Sequence, residues 1–469
     1  MKQTVFVNRI LNMKKIKLIG LDMDHTLIRY QTKNFEKTVY KLVIERLIQD
    51  KHYPRDIQLF KFDFEHVIRG LVVDSENGNI LKLSRFAAIR ESSHGTRPIE
   101  FTEQQRMYRS IYVDLRDPNY IAIDTAFSIA FCLLYGQLVD YKDRHPLSLP
   151  SYREIALDVL CMVDLIHADG SLKKIISNNL DHYVIKERQV VEGLKRYVHF
   201  GKKIFVLTNS DYLYTKLLLD YAMNPFLSKH EHWSDLFEFV ITSANKPRFF
   251  YDNLTFLKIN PDDASMSNLP NKIVAGIYQG GNAKKFTDDL QLNGDEILYI
   301  GDHIYGDILR LKKDCNWRTA LVVDELGVEI ASQKEVLPIQ KKISRAMQVK
   351  VELEAQYTLL CSHRIDEQTE KYDPSIQQVQ QKITVLDKRI STLLKEQHQC
   401  FNPYWDRVFR AGAEESYFAY QVEHYACIYM ENLAAFLQHS PLSYFRANRR
   451  SLAHDPKFVE MRAVRNDLF

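Results

Sequence analysis

The sequence carries almost no excess of either charge: 63 lysines and arginines stand against 60 acids, a net of +3. A field that weak gives no reason to expect a polyanionic partner. No basic run with interleaved aromatics appears either, so nucleic-acid binding is not expected. Cysteine is sparse and scattered. The six, Cys132, Cys161, Cys315, Cys361, Cys400 and Cys427, include no Cys-x-x-Cys pair. That argues against a zinc site and a disulfide framework and fits a reducing, cytoplasmic setting. Residues 1–15 are mildly basic but lack the continuous apolar segment and cleavage site of a secretory signal, so export is not expected. A clean membrane span is missing too. The nearest approach, Ile121 to Val139, carries Asp124, Ser128 and Gln137 and reads as a buried helix.

What the chain does have is a short apolar run, Leu18 to Leu21, ending in two carboxylates one residue apart, Asp22 and Asp24. Such a run reads as a buried parallel strand, and the alternation of an extended chain sends both carboxylates to one side. One can attack an electrophile while the other, protonated, serves the leaving group, and both can lie beside a divalent cation. Alone, the pair reads more readily as a loop or a helix cap. Three further strand ends tip the reading: Leu207-Thr208-Asn209-Ser210, Lys246-Pro247, and Gly301-Asp302 through Gly306-Asp307. Open α/β sheets hold their ligands at such ends. A threonine hydroxyl with neighbouring amides suits a transferring phosphoryl group, and a fixed ammonium at Lys246 can neutralise phosphate. Asp302 and Asp307 offer hard oxygens, which suit Mg²⁺ better than zinc.

With 469 residues, 45% of them hydrophobic, two or three domains are expected. Roughly 180 residues separate Asp24 from Thr208, far more than a crossover between parallel strands needs, so an inserted cap is expected over the strand ends. The expected division is a discontinuous core of 1–35 and 175–335, a cap of 36–174, a helical hairpin of 336–400, and a helical segment of 401–469 that packs back on the core and ends in a basic, solvated tail. Residues 30–50, 120–139 and 152–167 read as helices, 64–83 as strands around a turn at Glu76 to Asn79, and 84–118 as irregular. Leu321 to Val323 reads as the last core strand. A helix break at Gly170 and a restart at Ser171 make an anion-binding helix start beside Asp164, His167 and Lys173. Ile376, Val379, Ile383, Leu386, Ile390 and Leu393 keep coiled-coil spacing, as Ile339 to Leu360 do with Lys350 interrupting. A seam of that length packs on its neighbouring helix or on a second subunit, and a homo-oligomer is expected.

In order and in kind, Asp22-Met-Asp24-His-Thr26, Leu207-Thr-Asn-Ser210, Lys246-Pro247 and Gly301-Asp-His-Ile-Tyr-Gly-Asp307 resemble the four motifs of the haloacid dehalogenase superfamily. That resemblance implies an α/β fold: a Rossmannoid core with a parallel sheet and a large cap inserted after the first motif, here followed by the helical hairpin. The stretches His167-x-x-Gly-Ser-Leu-Lys173, Tyr212-x-Tyr214-Thr215 and Phe409-Arg410-x-Gly412 narrow the resemblance to the cytosolic purine (IMP-GMP-specific) 5′-nucleotidases. Carried over residue by residue, it implies that Asp22 is a nucleophile that becomes an aspartyl-phosphate and that Asp24 is the acid and then the base. Thr208, Asn209, Ser210 and Lys246 would hold phosphoryl oxygens. Mg²⁺ would rest on Asp22, the backbone carbonyl of Asp24 and Asp302, with Asp307 supporting the loop. Asp164, His167 and Lys173 would contact the nucleotide, Phe127 would stack on its base, and Tyr305 would contact a purine nucleotide activator. The implied reaction is hydrolysis of purine nucleoside 5′-monophosphates (IMP, GMP and deoxy forms), with phosphotransfer to nucleosides. The chain departs from the pattern at His25, where tyrosine is usual, and in lacking a long acidic tail. The competing readings are a phosphatase of the same superfamily for another small phosphometabolite, and a non-catalytic nucleotide sensor.

Overall fold

The computed structural model describes residues 4–269 and 271–448. Its centre is a run of seven parallel strands: β1 (Leu18–Leu21), β2 (Lys203–Leu207), β3 (Phe239–Thr242), β4 (Gly276–Gly280), β5 (Ile297–Gly301), β6 (Arg318–Val322) and β7 (Ile428–Met430). Their order across the sheet is β7-β6-β5-β1-β2-β3-β4, so the first strand lies in the middle and every carboxyl end opens on the same edge. β1 and β5 are buried at every position, as parallel strands covered on both faces require. The sheet is mixed rather than purely parallel. Phe6–Val7 pairs antiparallel with β7 at one edge, and Phe256–Ile259 with Met266–Asn268 extend the other as an antiparallel pair beyond β4. Gly20 is what lets the middle close: a Cβ there would fall 2.4 Å from the Phe205 ring and 2.6 Å from the Tyr299 ring. The Tyr299 side chain therefore crosses β1 and delivers its hydroxyl toward the carboxyl ends.

Past the first motif the chain leaves through Arg29–Tyr30 and returns through Val184–Ile185, and these two short strands pair with each other. Between them lies the cap. It holds α1 (Thr32–Asp50), a five-stranded antiparallel sheet (Leu71–Asp74, Asn79–Leu83, Ile89–His94, Arg97–Pro98, Tyr120–Ala122), α2 (Ile129–Arg144) and α3 (Tyr152–Ala168). Two expectations change here. The span 84–118, read as irregular, contributes the strand Ile89–His94 and the helix Phe101–Tyr108. The helix expected from residue 120 starts only at Ile129, because Tyr120–Ala122 pairs with Leu71–Asp74 and the Thr125 hydroxyl accepts from Phe127 N in a short turn. The start of α2 is held by Glu36 of α1, whose carboxylate accepts from Ala130 N at 2.7 Å. Glu36 is 0% exposed, and its second oxygen has no partner among the described residues. Among the described residues no helix is long and apolar enough to cross a membrane.

After β2 comes α4 (Tyr212–Ala222), and after β6 the long arm, α5 (Leu326–Asp366) and α6 (Asp373–His398). The coiled-coil seam closes within the chain: Ile376, Val379, Ile390 and Leu393 of α6 are buried along with Ala346 of α5. Lys350, which interrupts the repeat, is answered across the seam by Asp387 at 2.6 Å. The apolar seam is thus covered in part by its own neighbouring helix, while Ile383 and Leu386 stay half-buried.

Beyond the arm, the segment read as helical is part helix and part strand. Tyr417–Tyr425 and Leu433–Leu437 are helices, but β7 between them is a core strand, so Leu321 to Val323 is not the last. Three residues are too few to display a period of two. Residues 449–469, including the basic tail, lie outside the described residues.

Candidate active site

The carboxyl ends of β1, β2 and β5 and the loop after β3 converge. Asp22, 8% exposed, takes Met23 N at 2.7 Å and the Lys246 ammonium at 2.7 Å on the same oxygen. Lys246 Nζ also reaches Asp307 Oδ1 at 2.8 Å and the Tyr299 hydroxyl at 3.1 Å. Asn209 pins that lysine's backbone from both sides, accepting from Lys246 N at 2.6 Å and donating to Lys246 O at 3.1 Å. Burial pushes the Lys246 pKa down, but Asp22 and Asp307 outweigh it and hold the ammonium above its ordinary range.

Asp22, Asp302 and Asp307 each present an oxygen within 4.8 Å of the others. Burial, then the neighbouring Asp307, raises the Asp22 carboxyl well above its usual range, against the pull of Lys246. Burial also pushes Asp302 up to about 7, opposed by Arg69. One oxygen of Asp302 is buried without a hydrogen-bond partner among the described residues. A pocket of crowded, oxygen-only donors with an orphaned carboxylate oxygen fits a hard divalent cation such as Mg²⁺. Asp307, expected only to support the loop, stands inside this cluster.

Asp24 sits on the other side of the β1 loop. One of its oxygens accepts from the Tyr30 hydroxyl at 2.6 Å and the other from Ser210 Oγ at 3.1 Å. Burial raises its pKa even though both hydrogen bonds oppose the shift. Thr208 is fully buried, and its hydroxyl accepts from Ser210 N at 3.0 Å, which shapes the loop into α4.

The cap supplies an aromatic face. Phe127 meets His25 edge-on at 4.5 Å between centroids and His167 at 6.0 Å. His167 Nδ1 donates to Val163 O at 2.7 Å, which orients the ring. His25, buried in a left-handed conformation (φ 55), is pushed down to about 4 by burial, so its ring is neutral. Lys173 reaches down to the core and pairs with Asp211 at 2.5 Å, 5.4 Å from the centre of the Tyr214 ring. Asp164 is exposed on α3 and has no ion pair among the described residues. Tyr305 lies apart, its hydroxyl accepting from Gln421 at 2.6 Å. The core residues and Phe127 with His167 are thus brought together and Lys173 borders them, while Asp164 is exposed and the Tyr305 hydroxyl turns to Gln421.

Four contributors were not read from the sequence: Tyr30, Tyr299, Asp211 and Arg69. The last is 1% exposed and donates to Asp302 O at 3.1 Å and to Glu325 at 3.1 Å. A tyrosine inside the apolar run of β5 was a legible signal, since a buried phenol needs a partner. The others gave none, because their partners are remote in sequence or, for Tyr30, across a turn.

A Rossmannoid core, a cap inserted after the first strand, a helical C-terminal region and a buried aspartate cluster at the strand ends together define a hydrolase-type fold of the haloacid dehalogenase kind. The sequence model of the 5′ nucleotidase family matches residues 5–457, and the chain belongs to that family. It is 28% identical over 464 residues to a 5′-nucleotidase domain-containing protein of Dictyostelium discoideum, covering 97% of this chain and 75% of that one. To 5′-nucleotidase domain-containing protein 2 of Rattus norvegicus it is 24% identical, over 96% of this chain and 80% of the other. Among solved structures, it is similar to one titled a predicted phosphoglycolate phosphatase of Haemophilus somnus, at 13% identity and a TM-score of 0.27, over 66% of this chain and 86% of that one.

Proposed function

We propose that the protein is a Mg²⁺-dependent phosphatase that cleaves small phosphate monoesters through a phosphorylated Asp22. The observation that carries this reading is the pairing of opposite environments one residue apart. Asp22 is fastened to an ammonium at 2.7 Å, while Asp24 is held between two hydroxyls and makes no ion pair among the described residues. An Asp22 oxygen attacks phosphorus, the ester P–O bond breaks, and the electron pair leaves with the alkoxide. Asp24, protonated, gives its proton to that oxygen. It then takes a proton from the water that opens the acyl phosphate, which returns both carboxyls to their starting states. Lys246, Asn209 and the Thr208–Ser210 loop hold the phosphoryl oxygens in place as charge redistributes. Asp22, Asp302 and Asp307, with the carbonyl of Asp24, would hold Mg²⁺, which when bound neutralises charge on the transferring group.

The finer reading is a cytoplasmic 5′-nucleotidase for purine nucleoside monophosphates, and what supports it is the Phe127 ring, which lies against His25, the residue after Asp24, and near His167. A purine stacks well on such a ring. A phosphatase for another phosphometabolite is favoured by different facts: Asp164 stands exposed, and Lys173 is already paired with Asp211. Phosphate release from a panel of mononucleotides, sugar phosphates and glycolate-type esters, with and without Mg²⁺, tests both. The nucleotidase reading expects IMP and GMP to exceed AMP, UMP and the sugar phosphates by about tenfold or more in kcat/KM, since each mismatched polar group left unpaired costs roughly 1–3 kcal/mol. A panel led by a non-nucleotide would retire that reading and keep the phosphatase. No release from any ester would retire both.

A further inference from the structure

We propose that Tyr299 is a positioning residue for phosphoryl transfer: its buried hydroxyl aims the Lys246 ammonium and ties it to the strand end that carries Thr208. This inference rests on the phosphatase reading and adds to it a residue from the interior of the sheet. Tyr299 stands in the middle of β5 and is 0% exposed. Its ring lies against Gly20 of β1, where a Cβ would fall 2.6 Å from it. Phe250 meets the ring edge-on at 6.0 Å between centroids, and Phe205 and Trp317 close it in at 6.4 Å each. A ring walled in on these sides holds its hydroxyl at one point.

That hydroxyl meets three groups. Lys246 Nζ donates to it at 3.1 Å, and it donates in turn to the carbonyl of Leu207 at 3.2 Å, with Asp307 Oδ1 farther off at 3.5 Å. A phenol has a single proton to give, so what it turns to the ammonium is a lone pair. Among the described residues the acceptors around Nζ are then three for its three N–H groups: Asp22 Oδ1 at 2.7 Å, Asp307 Oδ1 at 2.8 Å and the Tyr299 oxygen. Two carboxylates alone would leave the ammonium free to turn about the line that joins them. The phenol supplies the third direction without a third charge. Through Leu207 O it also joins the lysine to the residue before Thr208, so two groups that would hold phosphoryl oxygens share one fixed point.

The contribution falls on turnover rather than on binding. As an Asp22 oxygen bonds to phosphorus, the carboxylate loses its charge and its hold on the ammonium weakens, while the phosphoryl oxygens beside it stay charged. The bonds to Asp307 and Tyr299 then decide where the released N–H points. Removing the hydroxyl takes away that direction and leaves the positive charge in place. Substrate binding, which needs the charge, changes little, and the transition state, which needs the direction, is held less well.

Tyr299→Phe keeps the ring and its packing and removes one oxygen, a change the fold tolerates. With the full chain in Mg²⁺ buffer and the best ester of the panel, kcat should fall about tenfold or more while KM stays within about twofold of the parent. Titration calorimetry gives a second readout that needs no turnover. Orthophosphate should bind parent and variant alike within about twofold, while orthovanadate, which adopts the five-coordinate geometry of the transferring group, should bind the variant about tenfold more weakly. A kcat within about twofold of the parent, or an equal loss for phosphate and vanadate, overturns the positioning role and leaves the phosphatase reading intact. A parent that releases no phosphate from any ester overturns both.

Discussion

Glu36 makes stability a function of pH in a way that one isosteric change removes. Its carboxyl is 0% exposed, has a single donor, Ala130 N at 2.7 Å, and leaves one oxygen unpartnered. Burial pushes its pKa from 4.5 up to about 8, opposed only by that hydrogen bond. The folded chain therefore binds the proton more tightly than the unfolded chain. Between the two values it carries more protons than the unfolded chain, so stability falls as pH rises through that window and levels off above the folded value. At about 1.4 kcal/mol per unit, the loss between roughly pH 5 and pH 8 comes to about 3 kcal/mol, as an order of magnitude. Glu36→Gln keeps an oxygen for Ala130 N and removes the charge. Thermal or urea midpoints of the two proteins, measured at both pH values, give the difference directly. The variant should gain on the parent as pH rises, most of the gain appearing by pH 8. Parallel pH profiles, or a variant that loses ground at high pH, would refute the buried-acid argument.

Asp22→Asn should cut phosphate release by at least about a hundredfold in the same Mg²⁺ buffer, because an amide neither attacks phosphorus nor offers an anionic oxygen to the cation. Its melting temperature should not fall, since the charge removed is a crowded one, and residual turnover above a hundredth of the parent would count against a covalent route. Lys173→Ala should slow a nucleotide substrate more than a small aryl phosphate, which does not extend to the cap. An equal effect on both in steady-state assays would make Lys173 a structural partner of Asp211 and nothing more.

The parts of this site legible in the sequence are those whose signal is local. Asp22, Thr208 and Asp302 each follow an apolar run, and strand ends of that kind are where an open sheet gathers its ligands. Lys246 is less local but was marked by its proline. Arg69 stands in a stretch that continues the family resemblance but carried no sign of its role: its partners, Glu325 and Asp302, lie more than two hundred residues on, and only the return of the cap onto the arm brings them together. β7 escaped for a different reason. Ile428 to Met430 is a strand because β6 offers an open edge, not because three residues prefer to be extended. The span from Tyr120 shows the same override from the other side, a stretch with helical patterning drawn into the cap sheet by Leu71–Asp74.

Among the ties between cap and core, two differ sharply in kind. On one tie, Arg69 is sealed in and grips the carbonyl of Asp302. Withdrawing it would strand a buried guanidinium, at a cost of about 3–5 kcal/mol. On the other, Lys173 and Asp211 are 33% and 47% exposed, and a pair of that sort is worth about 0–1 kcal/mol. Of these two, the Lys173–Asp211 tie would give first, and the one that holds ends on the backbone of an aspartate in the candidate metal cluster, so a shift of the cap at Arg69 would bear on the residue that would hold the cation.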